Sequence, residues 1–174
     1  MRISFDLDGT LFVSDPQQAE PGMLNFVERE KVARLRKGTR ELMTALAEQG
    51  WEIWFYTNSL RPRTSLLAWA SRLGMPVSGV VNQQIHENRC AEMGLAPVQV
   101  PAKMPRWFGI DLHVDDSPEV AQQISGCGGR VCLISESDLD WAEKVLSCAD
   151  VMLRHLVPTR RKRCSEGKSR TFSG

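Results

Sequence analysis

Apolar positions along the chain switch repeatedly between a period of two and a period near 3.6. Residues 2–7 alternate and then run into Asp8-Gly9, which predicts a strand closed by a tight turn. From Thr39 to Gln49, Leu42, Met43 and Leu46 recur at helical spacing, and Gly50 supplies the stop. Trp51 to Thr57 is an apolar run of strand length, which predicts a buried strand. Leu66, Leu67, Ala70 and Leu73 predict a second helix over 63–73, closed by Gly74. Val77–Val81 reads as a weak strand and 82–93 as a helix, followed by a stretch punctuated by Pro97, Pro101 and Pro105. Residues 109–115 make a clear strand. Ser117-Pro118-Glu119 starts the next helix, with a capping serine, proline at the first helical position and an acid near the dipole. Residues 130–134 predict another strand and Ser137–Cys148 the last helix, while Val151–Leu153 admits an edge strand. Residues 13–36 lack a clean period and admit a short helix around 24–35.

Strands alternating with helices of about ten residues predict a three-layer α/β/α sandwich around a Rossmann-like parallel sheet. Ligands of such sheets bind beyond the carboxyl ends of the strands. Here that rule selects the turns after Leu7, after Tyr56 and after Val114, and each carries residues capable of chemistry.

With 174 residues the chain is long enough for one domain with a substantial core. No apolar run reaches the roughly 18 residues of a membrane span, so no membrane association is expected. The opening MRISFDLDG places acids where a secretory signal would be apolar, and the five cysteines (Cys90, Cys127, Cys132, Cys148, Cys164) form no CxxC pair. Reduced thiols and a cytoplasmic location are the expectation. His86 lies four residues before Cys90, but a structural zinc site wants four clustered ligands and no second pair is found. Charge is unevenly spread: the net value is +1, yet Arg160, Arg161, Lys162, Arg163, Lys168 and Arg170 crowd the last 18 residues beside one acid, Glu166.

Asp6-Leu7-Asp8-Gly9-Thr10 sets two carboxylates two residues apart at a strand end, where side chains at i and i+2 share a face. Two close carboxylates repel unless a cation or a proton intervenes. A divalent cation would neutralise one acid and leave the other free for proton transfer. Alone, the segment reads equally well as an exposed Asp-x-Asp-Gly turn. Thr57-Asn58-Ser59 offers a hydroxyl and backbone N–H groups at a strand-to-helix turn, which suits an anion as well as a plain helix cap. Asp115-Asp116 ends an apolar strand, where adjacent acids call for a hard cation. Lys103 precedes that strand by a few residues; a lone lysine is ordinarily solvated.

Taken in order, FDLDGTLF, then WFYTNS, then Lys103, then Asp115-Asp116 resembles the haloacid dehalogenase (HAD) superfamily over about residues 2–135. FDLDGTLF is the specific motif; the others add weight through order and spacing. The resemblance implies that Asp6 is a nucleophile forming a phospho-aspartate and Asp8 a general acid and base. It implies that Thr57 and the Asn58 N–H hold phosphoryl oxygens and that Lys103 offsets charge. It further implies Mg2+ on Asp6, the Asp8 carbonyl and the Asp115/Asp116 pair, one of these acids directly and one through water. An acid at Asp8 points to phosphate-ester chemistry, since family members that displace halide or cleave C–P bonds lack it. Arg61 and Arg63, just after the phosphate turn, are candidates for contact with substrate.

The family inserts its cap domain at one of two places, and here those segments are 13–36 and 82–102, too short for an independent core. A capless member is therefore expected, with a site open to water. The domain expectation is 1–156 for the phosphatase fold and 157–174 for a flexible basic tail. The partner expected is a phosphorylated substrate, either a small molecule or the phosphorylated end of a macromolecule. Nucleic acid is weakly supported because the tail has only Phe172 for stacking. The charged segment from Glu28 to Glu41 could line the entrance, or be a solvated helix face. Trp51, Trp54, Trp69 and Trp141 are expected in the core, and Trp107 in the core or at the pocket edge. The expected activity is a Mg-dependent phosphomonoesterase; the alternative is a catalytically retired scaffold serving as a binding module. Oligomeric state is left open.

Overall fold

The computed structural model describes residues 1–21, 26–28 and 31–156. Arg29 and the basic stretch 157–174 lie outside the described residues. A five-stranded parallel sheet organises the chain, built from β1 (Arg2–Phe5), β5 (Glu52–Tyr56), β6 (Val77–Val81), β7 (Leu112–Asp115) and β8 (Val131–Leu133). Its order is β6-β5-β1-β7-β8. The helices are α1 (Thr39–Glu48), α2 (Arg63–Arg72), α3 (Gln83–Glu92), α4 (Pro118–Gly126) and α5 (Trp141–Leu156). The chain builds outward from β1 on one side and then crosses to build β7 and β8 on the other. The end of β1 therefore falls at the topological switch point, where open α/β sheets bind ligands.

The two faces of the sheet differ in chemistry. Ile3, Phe5, Ile53, Phe55, Leu112 and Val114 point to the main core, which α1, α2 and α5 complete through Leu46, Trp69 and Val145. The alternate positions face the other way and are polar or amphipathic: Ser4, His113, Asp115, Trp54 and Tyr56, all but Trp54 buried. Parity along three parallel strands thus delivers the polar groups to one face.

Residues 26–28 and 31–35 form paired antiparallel strands rather than the helix admitted at 24–35. Strands β3 (Phe26–Glu28) and β4 (Lys31–Leu35) pair antiparallel, and β4 also pairs with β2 (Phe12–Val13). The signal is the alternation around Val32, 46% exposed, and Leu35, 1% exposed, which sequence charge obscured. Phe12 and Phe26 both meet the ring of Trp69, at centroid distances of 5.2 and 5.7 Å. Such aromatic pairs contribute about 0.5–1.5 kcal/mol each beyond area burial, and they fix this small sheet to the core. No separate cap domain is present among the described residues.

Two further expectations are corrected. Val151–Leu153 is not an edge strand but the continuation of α5, which starts at Trp141 rather than Ser137 and carries its apolar stripe through Met152. Arg36 does not line an entrance. It is 1% exposed and donates to the carbonyls of Ser135, Glu136 and Asp138 at 2.8, 3.0 and 2.7 Å, with its guanidinium over Trp141. It is a staple between the end of β4 and the loop after β8. Trp51, Trp69 and Trp141 are buried, whereas Trp54 is half-exposed under the guanidinium of Arg2. Among the described residues no helix is long and apolar enough to cross a membrane.

Candidate active site

At the end of β1, Asp6 leaves the sheet between β5 and β7, with its N–H donated to the Val114 carbonyl at 2.9 Å. Lys103, 2% exposed, reaches in from the loop before β7. Its Nζ lies 2.6 Å from Asp6 Oδ1 and 2.6 Å from Asp115 Oδ2. The aliphatic stem is buried and the ammonium is spent between two carboxylates, so the lysine is no solvated side chain.

Asp115 is held on every side. Oδ2 accepts from Lys103 and from His113 Nε2 at 2.9 Å, while Oδ1 accepts the Ser117 N–H at 2.9 Å. His113 in turn meets Ser4 Oγ through Nδ1 at 2.7 Å. Burial pushes His113 down to about 4, so the ring is neutral at ordinary pH. It then donates from Nε2 to the carboxylate and accepts from the serine hydroxyl at Nδ1. The hydrogen bond from His113, with Lys103 beside it, holds Asp115 well below the usual carboxylate range despite burial. Asp6 behaves oppositely: burial outweighs Lys103 and raises it to about 6.

Oxygens of Asp6, Asp115 and Asp116 lie within 4.8 Å of one another. Three acid groups with only oxygen donors fit a hard divalent cation. Asp116 has a lighter load than Asp115: its Oδ1 accepts from Thr10 Oγ1 at 3.0 Å. Its carboxylate also lies against Gly9. A Cβ at that position would stand 2.3 Å from Asp116 Oδ2, and Gly9 has a φ of 86°. Only glycine satisfies both demands.

The Asp8 carboxylate does not join this cluster. The strand ends at Phe5, so the alternation expected to bring Asp6 and Asp8 to one point no longer operates. Asp8 turns outward and is gripped by Arg61, with Nη1 to Oδ2 at 2.5 Å and Nη2 to Oδ1 at 2.8 Å. Arg61 lies over the Phe12 and Phe26 rings. Its bidentate grip on Asp8 had no sequence signal, because nothing local links positions 53 residues apart.

Thr57 is buried at the end of β5, and its Oγ1 accepts the Ser59 N–H at 3.2 Å, leaving Asn58 exposed at the turn. The turn is fixed from α3, where the Gln83 N–H donates to the Ser59 carbonyl and Asn82 Nδ2 to the Arg61 carbonyl. Asn82 also caps α3 by accepting the Ile85 N–H. Arg63 lies at the exposed start of α2. His86 and Cys90 form no metal cluster with a third ligand among the described residues; His86 Nδ1 instead meets Tyr56 Oη at 2.6 Å.

No protein-family model matches the chain, and no curated protein matches it. Solved structures do. One is D,D-heptose 1,7-bisphosphate phosphatase from B. bronchiseptica, complexed with magnesium and phosphate: 16% identity over 84% of this chain and 98% of that one, TM-score 0.46. Another is the HAD domain of the effector protein Lem4 from Legionella pneumophila, an inactive mutant: 9% identity over 90% and 98% of the two chains, TM-score 0.46.

Proposed function

We propose that this chain is a HAD-type phosphatase, a magnesium-dependent phosphomonoesterase acting through a phospho-aspartate on Asp6. The observation that carries the reading is Lys103 held at 2.6 Å from both Asp6 and Asp115, beside a third acid. Replacing a buried ion-pair cluster by well-packed apolar side chains is often neutral or stabilising, so a buried lysine between two acids argues weakly for a purely structural role. It suits a site that gathers charge for chemistry.

In this mechanism Asp6 attacks phosphorus and the bond to the ester oxygen breaks. Asp8 gives its proton to the leaving oxygen, then takes one from the water that opens the phospho-aspartate. Arg61 must loosen its hold on Asp8 for the carboxyl to carry a proton, and an incoming phosphoryl oxygen is the group that can draw it off. Thr57 Oγ1 and the Asn58 N–H receive phosphoryl oxygens, and Lys103 offsets charge on nucleophile and phosphoryl group. Asp6, the Asp8 backbone carbonyl and Asp116 would hold magnesium directly. Asp115, with both oxygens already engaged, orients Lys103. Bound magnesium supplies charge neutralisation among the acids and on the phosphoryl group.

The test is phosphate release from a panel of phosphomonoesters, with magnesium and with chelator, wild type beside Asp6→Asn. Metal-dependent turnover lost in the variant supports the proposal. Silence from folded wild type across nucleotides, sugar phosphates, phosphopeptides and phosphorylated oligonucleotides would favour a scaffold retired from catalysis.

A further inference from the structure

Beside the phosphate turn lies a cavity of about 270 Å3 lined by Asn58, Gln83, His86, Glu87, Pro97 and Ala102. Asn58 follows Thr57 and Ala102 precedes Lys103 in the chain, so two of the lining residues are chain neighbours of the groups assigned to the phosphoryl oxygens. The volume lies just under the ~300–1,000 Å3 of drug-sized sites, which suits a small ligand.

The wall has a defined hydrogen-bonding character. The buried Tyr56 Oη accepts the Met104 N–H at 2.9 Å and meets His86 Nδ1 at 2.6 Å; a buried hydroxyl proton needs an acceptor, which assigns the phenol as donor to Nδ1. With Nδ1 accepting, the neutral ring of His86 carries its proton on Nε2, the donor it can offer to the cavity. Stacking on Trp107, centroid to centroid 5.9 Å, holds the ring plane. Gln83 Nε2 donates to Glu87 Oε1 at 2.8 Å, which leaves Gln83 Oε1 and Glu87 Oε2 as acceptors. Asn58 adds one amide with both functions. The wall therefore alternates donors and acceptors, carries one negative charge and includes no cation.

We infer that this cavity receives the leaving group of the substrate and selects an uncharged polyhydroxylated one, a sugar or polyol monophosphate. Hydroxyl groups both donate and accept, which matches the mixed wall. A second phosphate would meet the Glu87 carboxylate with no cation to offset it, so repulsion rejects bisphosphates. A nucleobase would find no Phe, Tyr or Trp face among the lining residues, and the His86 ring is already stacked on Trp107. The inference rests on the phosphatase reading of Asp6 and narrows its substrate.

The test compares kcat/KM for p-nitrophenyl phosphate, hexose 6-phosphate, hexose 1,6-bisphosphate and a nucleoside 5′-monophosphate, all with magnesium. Wild type should favour hexose 6-phosphate over the bisphosphate by about tenfold or more. Glu87→Lys should lower the first and raise the second, so that the ratio falls about tenfold or inverts. His86→Gln should raise KM for hexose 6-phosphate more than it lowers kcat. Calorimetric titration of Asp6→Asn with hexose 6-phosphate, repeated with Glu87→Lys added, reads binding without turnover and should show the same loss. If p-nitrophenyl phosphate is hydrolysed through Asp6 while the ratio is near one and Glu87→Lys leaves it unmoved, the pocket inference is overturned and the phosphatase reading stands. No hydrolysis of any ester by folded protein overturns both.

Discussion

Lys103 Nζ stands 2.6 Å from Asp6 Oδ1, with both side chains largely withdrawn from water and 96 residues of chain between them. The contact makes the charge of Asp6 more tolerable in a buried position. Lys103→Met should lower kcat by about 100-fold or more, the scale of losing a preorganised charge partner. In magnesium-free buffer it should also destabilise the fold by about 3–5 kcal/mol, because two buried carboxylates lose their cation. Steady-state kinetics and urea denaturation measure the two effects separately, and wild-type turnover in a folded Lys103→Met protein would remove the lysine from the mechanism.

Asp6→Asn should separate stability from activity in a pH-dependent way. Burial raises Asp6 from 3.8 in an ordinary environment to about 6, so its charged form is penalised in the folded protein. The penalty is absent below the unfolded value, grows between it and about pH 6, and is full above that. The asparagine variant should therefore melt higher than wild type at pH 7 without magnesium, and the advantage should vanish near pH 4. Added magnesium should raise the melting temperature of wild type and much less that of the variant.

Arg61→Ala tests a different contact. Its partner Asp8 has a side chain 56% exposed, so solvent screening keeps the ion pair's worth to stability under about 1 kcal/mol. The kinetic effect should be larger: about tenfold in kcat/KM, read against a melting temperature that barely moves. A large drop in stability with unchanged kinetics would make Arg61 a structural anchor only.

His113 should leave its mark on acid stability. A histidine in the unfolded chain takes up a proton near pH 6.5, whereas folded His113 resists until about 4. Between those values the unfolded chain binds the extra proton, so this contribution to stability is present above about 6.5 and falls as pH falls toward about 4. Asp6 acts in the opposite direction over much of the same range, which flattens the wild-type profile. Denaturant unfolding at several pH values should therefore show that His113→Asn is less sensitive to acid than wild type over pH 4–6.5.

Gly9→Ala should fail for two reasons. The φ of 86° costs a side-chain-bearing residue about 1–2 kcal/mol. The new methyl would also stand 2.3 Å from Asp116 Oδ2 and displace that acid. Loss of the magnesium-induced rise in melting temperature, in protein that is still folded by circular dichroism, checks the second effect apart from the first.

The sequence by itself determined the parallel α/β architecture and the three strand ends that carry the polar residues. Periodicity is local, and the helices α1 and α2 and strands β1, β5 and β7 each show it within ten residues. It also placed Asp6, Thr57, Lys103 and Asp115-Asp116 in order, because ligand sites follow from strand direction. It did not reveal the antiparallel pair of strands at 26–28 and 31–35, where charged residues hid a period of two until Phe26 found Trp69. Nor did it show that Arg36 is buried, that α5 runs on through Leu156, or that Asp8 turns away to Arg61. The different hydrogen-bond partners of Asp115 and Asp116 were equally hidden, since adjacent identical acids are distinguished only by what surrounds them. The contacts of Arg36, Asp8 and Asp116 join groups 53 to 106 residues apart, and a contact at that range exists only once the sheet has set its register.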